Sequence, residues 1–237
     1  MRALDLFCCD GGAAMGLRNA GFDNIVGIDI DPHPNYPFDF IQGDATNPPV
    51  DPKDFDFIWA SPPCQAFSDA TINTHHLHQN LIPQTRKLLE ASGKPYCIEN
   101  VPKAPIKKHL VLCGAMFGLK TYRHRHFEIS GFRTEQPRHP NHLKKSSNGD
   151  IFCICGSSPL MPGHFGNKLK RKQGRVKLKE KISEAGGVLK LYQETMGIYH
   201  STKPLFIAEA VPPSYSEYIG KEFFRTHTFY KQLGVPK

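Results

Sequence analysis

A chain of 237 residues, 39% hydrophobic and 22% charged, can bury one substantial core and carry a small appended lobe, since domains commonly run to about 100–200 residues. No apolar run reaches the ~18–20 residues needed to cross a bilayer, and Met1-Arg2-Ala3-Leu4-Asp5 reads as a strand rather than a secretory leader, so a cytoplasmic protein is expected. A net charge of +8 favours a polyanionic partner, and seven cysteines, an odd number with several inside apolar runs, argue for reduced thiols rather than a disulfide framework.

In chain order, residues 3–8 form a buried-strand candidate, followed by Gly11-Gly12 and a helix to about residue 19. Further strands are expected over 25–29, 38–42, 55–60 and 96–99, with a helix over 76–89 before the last of these. Strands alternating with helices predict an α/β fold, a parallel sheet covered by helices on both faces, and 110–113 and 127–129 read as strands completing it. Three segments follow: 1–130 as the catalytic unit, 131–187 as a small basic lobe with little apolar periodicity, and 188–237 returning to the core.

The first strand runs into a glycine turn and then a helix, the arrangement by which α/β sheets take a nucleotide-like cofactor, because glycine lets backbone approach the ligand. The second strand ends at Asp29 and the third at Asp44, two carboxylates at one sheet edge that suit an adenosine with free hydroxyls and an exocyclic amine. No Lys-Ser/Thr phosphate loop is present, which argues against ATP. Ser61-Pro62-Pro63-Cys64 follows the fourth strand directly, and its two prolines stiffen the exit and project Cys64 over the carboxyl edge. The fifth strand ends Ile98-Glu99-Asn100-Val101, bringing an acid to the same edge.

These segments resemble the DNA cytosine-5 methyltransferases, and compact phage-borne members in particular. The ordered motifs are Asp5-Leu6-Phe7 with Gly11-Gly12, Asp29, Asp44, Pro63-Cys64, Glu99-Asn100-Val101, Arg123-His124-Arg125 and Ala210-Val211-Pro212-Pro213. The resemblance implies a Rossmann-like sheet that binds S-adenosylmethionine, with the segment between Arg-x-Arg and the last motif reading the target. It implies Cys64 as a nucleophile adding to carbon 6 of a flipped-out cytosine, Glu99 at ring nitrogen 3, Arg125 at the carbonyl oxygen and Arg123 steadying the Cys64 loop. It also implies Phe7 against the adenine, Asp29 on the ribose, Asp44 at the adenine amine, Gly11 and Gly12 along the methionine part and Leu81 nearby. Ile30 and Ala45, beside the two acids, are counted with the same pocket. Three positions depart from the family pattern: Cys9 replaces a glycine, Thr121 a glutamine and Glu209 an asparagine.

In the middle segment, Lys168, Lys170, Arg171, Lys172 and Arg175 fit phosphate contacts, and Ser68 joins them as a DNA-contacting residue near Cys64. A short double-stranded site, a monomer and a restriction-modification context are the expectation. His139-x-x-His142 followed by Cys153-x-Cys155 has zinc-ligand chemistry, but its Cys-x-Cys is tighter than usual, so no metal is expected. The same chemistry on RNA or on a cytidine nucleotide stays open, as does a catalytically silent DNA-binding homologue. The basic segment weighs against the nucleotide, and the joint presence of Cys64 and Glu99 against the silent copy.

Overall fold

A computed structural model describes residues 1–68, 73–142, 151–155, 158–162 and 179–233. Seven strands form one mixed sheet: β1 (Arg2–Leu6), β2 (Asn24–Asp29), β3 (Asp39–Gln42), β4 (Phe57–Ala60), β5 (Tyr96–Asn100), β6 (Leu110–Leu112) and β7 (Arg125–Ser130). Their spatial order is β3-β2-β1-β4-β5-β7-β6. The first five are parallel to one another, in the order of a doubly wound nucleotide-binding sheet. β7 is antiparallel to both β5 and β6, between which it lies.

Alternation along β1 sorts its side chains between two cores, as a strand buried on both faces requires. Ala3 joins Trp59, Cys97 and Phe127 on one face, while Leu4 and Leu6 join Ile58, Ile98 and Leu89 on the other. Helix α1 (Gly12–Ala20) covers the first face and α2 (Ile82–Ser92) the second. Two further helices, α3 (Val188–Met196) and α4 (Pro204–Glu209), form a third apolar cluster with Phe152 and Ile154 of β8 (Phe152–Cys155). β8 pairs antiparallel with β9 (Ser158–Pro162), so the middle segment contains a hairpin that its weak apolar pattern did not reveal. The final helix, α5 (Pro213–Leu233), lays Tyr215, Ile219 and Phe223 onto the α1 face. None of the described helices is long and apolar enough to cross a membrane.

Two expected elements shift. The strand read as 3–8 stops at Leu6, because Phe7 and Cys9 take left-handed backbone, φ +59° and +46°, which breaks the ladder. The helix read as 76–89 begins at Ile82: Asn80 Oδ1 accepts the Ile82 amide at 3.1 Å, and proline in the first turn fixes the start there. A short 3-10 turn, His75–Leu77, fills part of the difference.

Candidate active site

The site assembles at the carboxyl edge of the central strands, where doubly wound sheets bind ligands. Cys64 lies four residues beyond Ala60, the end of β4, and its carbonyl accepts the Phe67 and Ser68 amides at 2.9 and 3.0 Å, closing the loop into a tight turn. Cys64 is half-buried and packs against Ile82, Val101 and Ala104. Asn100, the last residue of β5, donates from Nδ2 to the Pro62 carbonyl at 2.8 Å and accepts the Val101 amide at 2.9 Å. One buried amide therefore ties the strand bearing Glu99 to the loop bearing Cys64. That tie was not legible in the sequence beyond the position of Asn100 beside Glu99.

The antiparallel register pairs Asn100 with His126, which places Arg125 just past the end of β5. Arg125 Nε reaches Glu99 Oε1 at 2.7 Å, with both side chains largely buried. Burial pushes the Cys64 thiol above its usual value; Arg125 and Arg123 pull against that shift, and Glu99 adds to it. The three charged residues named from the sequence thus act on this one sulfur. Arg123 has φ +33°, and its guanidinium donates to the carbonyls of Ile154 at 3.0 Å, Glu209 at 3.1 Å and Ala210 at 2.9 Å. Burial, then repulsion from Arg125, brings its pKa down to about 10, so it stays cationic at neutral pH. The Tyr215 hydroxyl donates to the Arg123 carbonyl at 2.8 Å, so the segment after Pro212-Pro213 props the Arg-x-Arg turn from behind.

The glycine turn forms the other half of the edge. Cys9 occupies a left-handed position where the family resemblance calls for glycine, and its thiol contacts the Phe206 carbonyl at 3.9 Å. Burial pushes that thiol up to about 12. Gly11 (φ +82°) has no room for a side chain, since a Cβ there would meet Pro37 Cδ at 2.6 Å. Gly12 lies against Val211, whose carbonyl would sit 2.3 Å from an added Cβ, so the last motif packs directly on the turn.

Asp29 at the end of β2 accepts the Cys9 amide at 2.9 Å and the Asp31 amide at 3.2 Å, and its Oδ1 lies 3.8 Å from His33 Nε2. Burial would raise the Asp29 carboxyl, but His33 and the two amides outweigh it and hold the group below its ordinary value. A carboxylate has about four lone-pair sites, and the Asp29 side chain remains 16% exposed, so capacity for hydroxyl donors is left. Ile30 beside it is 69% exposed, an apolar surface open at this edge. Asp44 is exposed and accepts the Thr46 amide and hydroxyl at 2.8 and 2.7 Å, whereas Ala45 is buried in the core and offers little surface to a ligand. Phe7 is half-buried against the second-face core, and Leu81, half-buried, is the N-cap of α2.

Sequence reasoning missed a polar network behind the glycine turn. Buried Asp10 receives the Ser201 hydroxyl and faces His33 Nδ1 at 3.2 Å, while His200 Nε2 contacts the Asp10 carbonyl. It joins the turn, the second strand and the segment before α4. The adjacency of Asp10 to the glycines was the available signal; its partners, up to 191 residues away, gave none. Lys168, Lys170, Arg171, Lys172 and Arg175 lie outside the described residues, as does the segment 69–72 that follows Ser68.

Residues 1–111 match the family model described as C-5 cytosine-specific DNA methylase. No curated protein matches the chain. Among solved structures, a DNA modification methyltransferase encoded within an E. coli prophage is similar over 96% of this chain and 99% of its own, with TM-score 0.58 and 17% identity. The Entamoeba histolytica methyltransferase EhMeth is similar over 95% of this chain and 98% of its own, with TM-score 0.56 and 12% identity. At such identities these likenesses establish the fold alone, a mixed α/β sheet, over nearly the whole chain. The matched segment, a little under half of the chain, holds both Cys64 and Glu99.

Proposed function

We propose that the protein methylates carbon 5 of cytosine in DNA with S-adenosylmethionine, through a covalent bond between Cys64 and carbon 6 of a base turned out of the stack. The observation that carries this reading is the convergence of Cys64, Glu99 and Arg125 at one sheet edge, with Arg125 Nε held 2.7 Å from Glu99 Oε1. Carbon 5 of cytosine is too weak a nucleophile to act alone. Addition of the Cys64 thiolate at carbon 6 places an electron pair at carbon 5, and the thiol proton leaves to solvent or to a base. Negative charge that develops on the ring is offset by a proton that Glu99 carries and donates to nitrogen 3, and by Arg125 at the carbonyl oxygen. Arg125 already occupies Glu99 Oε1, which leaves Oε2 for the base. Arg123, anchored to three carbonyls, keeps positive potential behind the sulfur. Loss of the carbon-5 proton then returns the electrons and expels Cys64.

The residues at the glycine turn fit the adenosine half of the cofactor: a carboxylate with spare lone pairs at Asp29, exposed apolar surface at Ile30 and an exposed acid at Asp44. S-adenosylmethionine, when bound, supplies the electrophilic methyl group. Extrusion of the base costs about a few kcal/mol, which phosphate contacts from the basic middle segment would offset. Duplex DNA with a short site is the substrate this charge distribution favours.

Expression in a methylation-free bacterial host, followed by conversion sequencing, tests the assignment. Modified cytosines in one short context are expected with the wild type and none with Cys64→Ala at equal abundance. Duplex DNA carrying 5-fluorocytosine should form a covalent adduct with the wild type, because fluorine cannot leave as a cation after methyl transfer. Absence of any adduct in the presence of cofactor would sink the covalent route.

A further inference from the structure

Away from Glu99 and Cys64, four side chains with metal-ligand chemistry meet at one point. The β6–β7 register pairs Leu112 with Arg125, so one further step sets Cys113 opposite His124. The chain beyond β7 returns to the same place and adds His139 and His142. The four ligand atoms all lie within 4.8 Å of one another. Cys113 Sγ is 3.2 Å from His142 Nε2, which is 3.2 Å from His139 Nε2, which is 3.0 Å from His124 Nε2.

Hydrogen bonds account poorly for that chain of contacts. A neutral imidazole nitrogen carries either one proton or one lone pair, so His139 Nε2 cannot serve both neighbouring nitrogens well. One cation receiving four lone pairs satisfies every contact at once. Tetrahedral zinc, with Zn–S about 2.3 Å and Zn–N about 2.0–2.1 Å, sets S···N edges of about 3.6 Å and N···N edges of about 3.3 Å. The three successive separations lie within a few tenths of an ångström of these, and the other three stay within 4.8 Å. The surroundings hold the ligands in place: the Tyr122 ring lies 3.9 Å from the His142 ring, centre to centre, and its hydroxyl donates to the His142 carbonyl at 3.3 Å. Cys113 is buried and His139 exposed, so an ion can enter from solvent on the His139 side.

We propose that Cys113, His124, His139 and His142 form a structural zinc site. Thiolate with imidazole selects zinc over the hard cations, and four protein ligands leave no open position for chemistry. Binding replaces the Cys113 S–H bond with an S–Zn bond and releases that proton to water. His124 is the middle residue of Arg123-His124-Arg125, so the metal would fix the turn that presents Arg125 to Glu99. His139 and His142 stand where the chain leaves the core for the basic middle segment, and the same ion would pin that segment's root to the Arg-x-Arg turn. The sequence reading weighed His139 and His142 only with Cys153 and Cys155 and expected no metal, because strand register, not local spacing, supplies Cys113 and His124.

The full chain, purified under reducing conditions from zinc-supplemented cells, should contain one zinc per molecule by elemental mass spectrometry. Cobalt added to the stripped protein should give the intense visible bands of a tetrahedral site and a thiolate-to-cobalt charge-transfer band. Cys113→Ser should abolish that band. His139→Ala, an exposed change whose folding is checked by circular dichroism melting, should weaken metal binding about tenfold or more. Cys153→Ser/Cys155→Ser should keep full zinc. The proposal is overturned if the wild type holds under a tenth of an equivalent and gives no cobalt spectrum. It is equally overturned if Cys113→Ser and His139→Ala both keep their metal, or if the Cys153/Cys155 variant loses it.

Discussion

At the scale of single residues, the proposed chemistry depends on how Cys64 is held. Its thiol is raised by burial, with Arg125 and Arg123 opposing, so the free protein carries less thiolate at neutral pH than an unperturbed cysteine. The sign follows directly: alkylation of Cys64 by iodoacetamide should be slower than that of a free thiol at pH 7.5 and should climb with pH through and beyond the ordinary cysteine range. Peptide mass spectrometry after timed quenching checks this. A rate already flat above pH 7 would mean that the two arginines outweigh burial. Much at this scale was legible in the sequence. Cys64 and Glu99 stood in ordered motifs at predicted strand ends, and Arg125 followed from the Arg-x-Arg element. The partners of Arg123 were not legible, because its carbonyl acceptors at Ile154, Glu209 and Ala210 are brought to it only by the tertiary fold. Cys9 was read as a departure from glycine; the structure places it in the left-handed conformation that makes glycine the easier choice there.

At the scale of elements, the mixed edge of the sheet needs a specific fastening. β7 carries Glu128, 1% exposed, and Arg86 from α2 meets both of its oxygens at 2.7 Å while the Lys107 amide donates to it at 2.8 Å. Burial would raise this carboxyl, but Arg86, Lys107 and their charges hold it below the ordinary value. Removing one member leaves a buried charge unmatched. Arg86→Met should therefore cost about 3–5 kcal/mol in denaturant unfolding, and Arg86→Met/Glu128→Met should recover most of the loss. A double variant no more stable than the single one would show that the pair contributes net attraction beyond its own desolvation. Strand periodicity placed most of β1 to β5 within one or two residues, since parallel strands buried on both faces are continuous apolar runs. The start of α2 was misplaced, because His76 to Leu81 resemble a helix in composition and only Asn80 and Pro83 mark the true boundary. The β8–β9 hairpin lay in a segment whose polar residues mask its two buried apolar positions.

At the scale of the whole molecule, the α1 face of the sheet is closed by the distant end of the chain. Gly16 of α1 faces Pro213 and Ser216 of α5 so closely that a Cβ would lie 2.0 Å from the Pro213 carbonyl and 2.1 Å from Ser216 Oγ. Gly16→Ala should force the two helices apart and destabilise the protein by roughly 1–3 kcal/mol, an overpacking cost, although alanine favours an isolated helix. Thermal melting of the variant decides the sign, and an unchanged or raised Tm would mean the interface yields freely. Division into a core, a basic insertion and a returning segment rests on composition alone; Tyr215, Ile219 and Phe223 share an apolar cluster with Leu17. That the last motif also supports the Arg-x-Arg turn could not be read from spacing, as Tyr215 and Arg123 are 92 residues apart.

The seating of α5 on α1 has a consequence for biosynthesis. A ribosome releases the glycine turn and its helix first, yet the apolar stripe of that helix gains its cover only when residues 213–223 have emerged. Until then the nascent polypeptide displays a sticky surface around Leu17 and Phe22, and long-range closure of this kind is slow. Messages cut short before that point should yield insoluble fragments, even though every side chain proposed to react would already have been translated.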